Sequence, residues 1–173
     1  MNSKNKNMSK FQLNERVALI TGSTRGIGWE TAKGMAEAGA SVYINGRVKE
    51  VLEGRCQELC DLGYDAKPAF FDATDGTAVE SFLSYITTPV DILVNNAAIR
   101  LRKPLSEISP KAFSEVVEAN LSSVYAVSRG FAARLQKKDI KGSLINITSI
   151  AGPRAIQSDP SIYSCKRWTS GFD

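Results

Sequence analysis

Short runs of β-branched and aliphatic residues alternate along this chain with longer stretches whose apolar positions recur at helical spacing. Arg16–Thr21 is such a run, ending at Gly22, and predicts a first strand. Gly26–Ala38 predicts a helix stopped by Gly39, and Val48–Leu62 a second helix stopped by Gly63. Between and after them, Ser41–Asn45 and Asp65–Phe71 predict strands. Asp75–Thr87 predicts a helix with Asp75 placed to cap it, and Val90–Val94 a fourth strand. Ser109–Glu118 and Leu121–Gln136 predict two further helices, the first with Pro110 in its opening turn. Gly142–Thr148 predicts a fifth strand. Strands separated by helices of this length imply βαβ units and a parallel sheet. The strand runs read as apolar on both faces, as a sheet covered by helices requires. Right-handed crossovers then give a doubly wound parallel α/β sheet.

Composition narrows the chemistry. The chain has 173 residues, of which 43% are hydrophobic and 23% charged, enough for one domain with a real core. It contains no His, so no Ser-His-Asp triad, Cys-His dyad or His-based zinc site can be built from it. Any general acid or base must be Tyr, Lys, Asp, Glu or Cys. The net charge is +4, and the positive residues are dispersed apart from Lys4, Lys6 and Lys10. Residues 1–10 therefore read as a disordered leader rather than a nucleic-acid-binding arm. No run of about 18 apolar residues is present, so no membrane span is expected. The leader lacks an apolar core and does not read as a secretory signal. Cys56, Cys60 and Cys165 lack a zinc spacing; they read as structural thiols in a reducing cytoplasm, with no metal site.

The segment Thr21–Gly28 joins the first strand to the first helix and carries Gly22, Gly26 and Gly28. The first glycine permits a sharp turn, and the others let backbone amides and the helix N-terminus close on a pyrophosphate. A dinucleotide-binding, Rossmann-like fold follows from that placement. The second strand ends in Asn45-Gly46-Arg47, where an NAD site usually has an acidic residue for the ribose hydroxyls. Gly46 leaves room, Arg47 can pair with a 2′-phosphate, and Arg25 can reach the same group. NADP(H) is favoured over NAD(H); the alternative is that both arginines are simply solvated.

With these features the sequence resembles the short-chain dehydrogenase/reductase family, from Phe11 to about Cys165. Thr21–Gly28 matches TGxxxGxG, Asp72 the adenine-side Asp, and Asn95-Asn96-Ala97-Ala98 the NNAG motif with Ala last. Asn120 matches the active-site helix Asn, Ser149 the catalytic Ser and Tyr163 the catalytic Tyr. The resemblance implies that Gly22, Ser23, Thr24, Arg25, Gly26, Ile27, Gly28, Arg47, Asp72, Asn95 and Ala97 bind the cofactor. It implies that Tyr163 exchanges a proton with a carbonyl or alcohol oxygen, that Ser149 hydrogen-bonds it and that Asn120 holds a relay water. The small-molecule substrate would be a ketone or secondary alcohol, a sugar acid by the look of the strand end, with 3-oxoacyl groups close behind. Arg100, Arg154 and Gln157 flank the pocket and could meet an acidic substrate, or serve as ordinary surface residues. Neither nucleic acid nor membrane is an expected partner. Family members are usually homo-oligomers, through helices beginning here at Leu121 and Tyr163.

The pattern then departs. The family has Tyr-x-x-x-Lys, but here Lys166 comes one residue early and Arg167 stands at the expected position. A one-residue shift turns a helical side chain by about 100°, so Lys166 is expected to point away from Tyr163. Residues 166–173 carry no apolar helical stripe, and the domain at 11–165 reads as incomplete at its C-terminus, with assembly impaired. A remnant that binds nucleotide without catalysis is the competing reading. A shift of reading frame after the Cys165 codon would convert a family-like Cys-Ser-Lys-Gly-Gly-Leu continuation into the observed Cys165-Lys166-Arg167-Trp168. If so, the other frames of the gene carry family-like sequence downstream; their lacking it would sink the idea.

Overall fold

The computed structural model describes residues 11–150 and 165–166. The expected leader, Arg154, Gln157, Tyr163 and the tail from 167 lie outside the described residues. Five parallel strands form one sheet in the order β3-β2-β1-β4-β5. They are β1 (Val17–Ile20), β2 (Ser41–Gly46), β3 (Ala66–Phe70), β4 (Ile92–Asn95) and β5 (Ser143–Asn146). The helices are α1 (Gly26–Glu37), α2 (Lys49–Asp61), α3 (Gly76–Tyr85), α4 (Pro110–Val117) and α5 (Ser123–Lys138). The chain leaves β1 toward β2 and β3, then crosses back to β4 on the other side. Ile20 pairs with both Ile44 and Val94 in register, so the crevice above β1 is where the winding reverses.

Side-chain alternation along the strands divides the core in two. Ala18, Ile20, Val42 and Ile44 pack with Trp29, Ala32, Leu52 and Leu59 of α1 and α2. Val17, Leu19 and Leu93 face the opposite way, onto Val79 and Leu83 of α3 and Val127, Phe131 and Leu135 of α5. Helices thus cover both faces, and the doubly wound sheet is the one the sequence implies. Gly39 and Gly63 end α1 and α2 with φ of +100° and +88°, which L side chains adopt only with strain. Asp75 caps α3 by accepting the Ala78 N–H at 3.0 Å, and Ser109 caps α4 by accepting that of Ala112 at 3.2 Å.

Two expectations need correction. The strands are not all apolar on both faces: Lys67, Pro68 and Phe70 of β3 are exposed, as are Leu144 and Ile145 of β5. These are the outer strands of the described sheet, and an outer strand tolerates a proline that a central one does not. Nor do the helices break near residue 120. A π turn, Glu118–Ser122, carries α4 directly into α5. Among the described residues no helix is long and apolar enough to cross a membrane.

The cysteines divide by burial. Cys56 and Cys165 are buried, while Cys60 is exposed with its thiol against the Ala66 carbonyl at 3.5 Å. Burial pushes the Cys56 thiol up to about 11, with Cys60 and Glu53 adding to the effect. Because the thiolate is the nucleophile, iodoacetamide at mildly alkaline pH should modify Cys60 and spare Cys56 and Cys165 in the native protein. Peptide mass spectrometry reads the sites; equal labelling of Cys56 and Cys60 would contradict this burial pattern.

Candidate active site

The glycine loop is held above β1 by side chains from both sides of the crevice. Thr21 follows β1, and its hydroxyl accepts the N–H groups of Asn96 and Ala97, each at 3.0 Å, while donating to the Val94 carbonyl at 3.4 Å. One donor and two acceptor positions exhaust a hydroxyl. Asn96 answers by donating to the carbonyls of Thr21 and Gly22 at 2.9 and 3.1 Å. On the other side, Asn45 accepts the Gly22 N–H at 3.0 Å and donates to the carbonyls of Ala69 and Phe71 at 2.9 and 3.0 Å. One buried amide therefore joins the loop to the ends of β2 and β3.

These bonds leave no room for larger residues. A Cβ on Gly22, whose φ is +60°, would lie 2.9 Å from the Ala97 Cα. A Cβ on Gly28 would collide with the Asn96 amide and come within 2.7 Å of the Gly22 carbonyl. Gly26, with φ +59°, is different: it opens onto empty space. Arg25 precedes α1 in extended conformation, and no side chain caps that helix. The first-turn N–H groups lack a side-chain partner at the rim of a cavity of about 410 Å³.

The cavity separates the expected cofactor residues. Gly22, Thr24, Arg25, Gly26, Arg47, Asp72 and Ala97 line it, together with Asn45, Gly46, Asn96, Ala98 and Ile99. Ser23 does not: it is wholly buried, donating to the Ile20 carbonyl at 2.6 Å and accepting the Asn45 N–H at 2.9 Å. Asn95 is also turned inward, donating to Ser128 Oγ and Asn146 Oδ1, both at 2.9 Å. It braces β4 against α5 and β5. Ile27 is solvent-exposed and Gly28 is packed beneath Asn96.

Arg47 and Asp72 meet at the cavity mouth, 3.2 Å apart. Asp72 also accepts the N–H and hydroxyl of Thr74, each at 2.9 Å. Burial raises the proton affinity of the Asp72 carboxyl, but Thr74 and Arg47 together outweigh it and hold the group below the usual carboxylate range.

Asn120 lies in the π turn, fully buried, with its amide bonded both ways to the Ile99 backbone at 2.8 Å. It fastens the loop after β4 to the helix. Ser149 follows β5 and is half-buried. Lys166 is buried, with its ammonium donating to the Ile147 carbonyl at 2.7 Å, and burial lowers its pKa. Its neighbour Cys165 packs against the Val116 carbonyl. With Tyr163 outside the described residues, the expected divergence of Lys166 from it is not displayed; what is displayed is a lysine engaged beneath the end of β5.

A family model described as short chain dehydrogenase matches residues 16–168. The chain belongs to the short-chain dehydrogenase family. Its relatives include gluconate 5-dehydrogenase of Gluconobacter oxydans, 38% identical over 143 residues, covering 81% of this chain and 56% of the relative. L-xylulose reductase of Mus musculus is 34% identical over 151 residues, covering 87% and 60%. Among solved structures, a gluconate 5-dehydrogenase from Burkholderia cenocepacia in complex with NADP and tartrate superposes with a TM-score of 0.89 at 33% identity. That match covers 94% of this chain and 65% of the other. A 3-oxoacyl-[acyl-carrier protein] reductase from Brucella melitensis with bound NAD gives 0.87 at 27% identity, covering 93% and 64%. The chain spans about three-fifths of the length of these short-chain dehydrogenase relatives.

Sequence reasoning missed Asn45 as a brace of this short-chain dehydrogenase site. A buried polar residue at the end of an apolar strand was the available signal, since such a residue needs partners. Asn45→Ala removes the side-chain partner of three backbone groups at the strand ends and is expected to lower unfolding stability by about 3 kcal/mol. Asn45→Asp should not recover it, because a carboxylate cannot donate to the Ala69 and Phe71 carbonyls. Urea unfolding measures both; a loss below about 1 kcal/mol for Asn45→Ala would rule out the bracing role.

Proposed function

We propose that this chain binds NADP(H) in the cavity above β1 and interconverts a ketone and a secondary alcohol on a small polyol or sugar acid. A 3-oxoacyl substrate is the neighbouring possibility within the same chemistry. The observation that carries the cofactor choice is the mouth of the cavity. It has Gly46 and Arg47 at the end of β2 and Arg25 in the loop, with no carboxylate in the position that holds ribose hydroxyls in NAD sites. Asp72 holds Arg47 there by their ion pair.

The residues present fit such a group. Gly26 opens into the cavity where a backbone must approach a pyrophosphate, and the uncapped start of α1 presents N–H groups to an anion. The nicotinamide, when bound, supplies the hydride chemistry. The chain's part is positioning and proton transfer. Ser149 would hydrogen-bond the substrate oxygen, and Tyr163 would exchange a proton with it. Asn120, clamped to Ile99, would fix the loop that forms the cavity's far wall. The family resemblance supports these roles, and so do the named activities of the relatives, which are dehydrogenases and reductases of sugar acids and ketoses. We assign the protein to the cytoplasm on the reading of Cys56, Cys60 and Cys165 as free structural thiols of a reducing compartment.

One observation favours a second reading, dinucleotide binding without turnover. Lys166 is engaged at the Ile147 carbonyl, and Arg167 stands where the family has its lysine. A single set of measurements separates the readings. Fluorescence titration should give NADPH at least about tenfold tighter than NADH, as a charge-assisted contact to one phosphate supplies. NADPH consumption should follow with 5-keto-D-gluconate, L-xylulose or a 3-oxoacyl thioester, and should fall at least about a hundredfold in Tyr163→Phe. Binding without consumption establishes the second reading; failure to bind either dinucleotide overturns both.

A further inference from the structure

Arg55, which does not line the cavity, reaches the glycine loop from behind. Its Nε donates to the Thr24 carbonyl at 3.0 Å. Its guanidinium lies over the Trp29 ring at 4.6 Å from the centroid, and one terminal nitrogen pairs with Glu58 at 2.6 Å. Three different partners thus hold one planar head: the indole of α1, a carboxylate one turn along α2 and the loop carbonyl. That loop residue is placed to matter. The Thr24 methyl packs on Gly46 so closely that a Cβ there would sit 2.6 Å from it. Arg25 follows Thr24 in the chain, and Arg47 follows Gly46. Both arginines line the cavity mouth.

We propose that Arg55 is a positioning residue that sets the separation of Arg25 and Arg47, and so tunes selection for a dinucleotide bearing a 2′-phosphate. This rests on the NADP(H) reading above. The peptide joining Thr24 to Arg25 is trans and planar, so its carbonyl and its N–H point in opposite directions. By pinning the carbonyl on the α2 side, Arg55 fixes the direction of the Arg25 N–H and the start of the Arg25 side chain. The Thr24 methyl, seated on Gly46, fixes the same residue relative to Arg47. The arrangement needs a planar, multiply donating cation. A lysine supplies one charged point, which cannot stack on Trp29, pair with Glu58 and donate from the Nε position together.

The test uses the full chain carrying Arg55→Lys, Arg55→Ala or Arg47→Ala, with NADPH and NADH affinities measured by fluorescence and melting temperatures recorded beside them. Both Arg55 variants should lower the NADPH-to-NADH affinity ratio about tenfold, mostly through weaker NADPH binding, the scale of one charged hydrogen bond. Arg55→Lys keeps the charge on a side chain about a third exposed and should melt near the parent, so a folding defect cannot account for its altered ratio. The proposal falls if Arg55→Lys keeps the parental ratio. It falls equally if both affinities drop in parallel with the melting temperature, which is what a bolt between α1 and α2 would produce. If Arg47→Ala abolishes selectivity while the Arg55 variants retain it, the cofactor reading stands and this inference alone fails. If the parent chain binds NADPH and NADH equally, the cofactor reading fails and takes this inference with it.

Discussion

Where a parallel sheet reverses its winding, the chain leaving one strand must turn over its neighbours, and its backbone polar groups lose their ladder partners. Here that constraint falls on the Gly22 N–H and on the carbonyls of Thr21 and Gly22, above β1. Asn45 answers it from the β2 side and Asn96 from the β4 side, each by bonding backbone rather than another side chain. Buried amides left open at this point would cost more than most single contacts contribute. The crevice therefore has a closely packed floor, with Gly22 pressed against Ala97, Gly28 against Asn96, and Gly26 of the same loop facing open space. The site follows from hydrogen-bond satisfaction before any ligand is considered.

Electrostatics follows from the same placement. The end of β2 delivers Arg47 and the end of β3 leads to Asp72, so adjacent strands set cation and carboxylate together. Both are partly exposed, and the pair is worth little to stability on that account. Its consequence is orientation: Thr74 immobilises Asp72, and Asp72 in turn directs the guanidinium at the cavity mouth. Arg55 applies a similar restraint from beneath, on the loop rather than on a strand end. Arg47, held by Asp72, and Arg25, in the loop that Arg55 fastens, make a mouth suited to an anion.

Much of the fold was readable because its signals are local. Glycines at 39 and 63 stop helices whatever surrounds them, and Asp75 and Ser109 cap helices through atoms three residues away. The glycine loop was equally readable, yet its residues divided in a way spacing does not show. Ser23 and Asn95 stand in the motifs but turn inward, because the strand ends they follow demand partners. Asn45 and Arg55 were overlooked as braces for a related reason: their partners are backbone groups more than 20 positions away, and no residue pattern marks them. The exposed faces of β3 and β5 depend on position in the sheet order, which pairing decides and hydrophobicity alone does not.

The lysine shows how one register step redistributes a charge. Successive helical side chains diverge by about 100°, and the two described residues of this segment obey it. Cys165 packs toward α4 through Val116, while Lys166 turns beneath the end of β5. Burying an ammonium is unfavourable unless it is hydrogen-bonded, and the Ile147 carbonyl provides that bond. Lys166 consequently acts on the segment that carries Ser149, two residues beyond Ile147. On the function proposed above, electrostatic help to Tyr163 from one turn along would fall to Arg167. A guanidinium keeps its proton throughout the working range and spreads its charge over a plane. Such a group would favour a tyrosinate by its field without itself passing a proton.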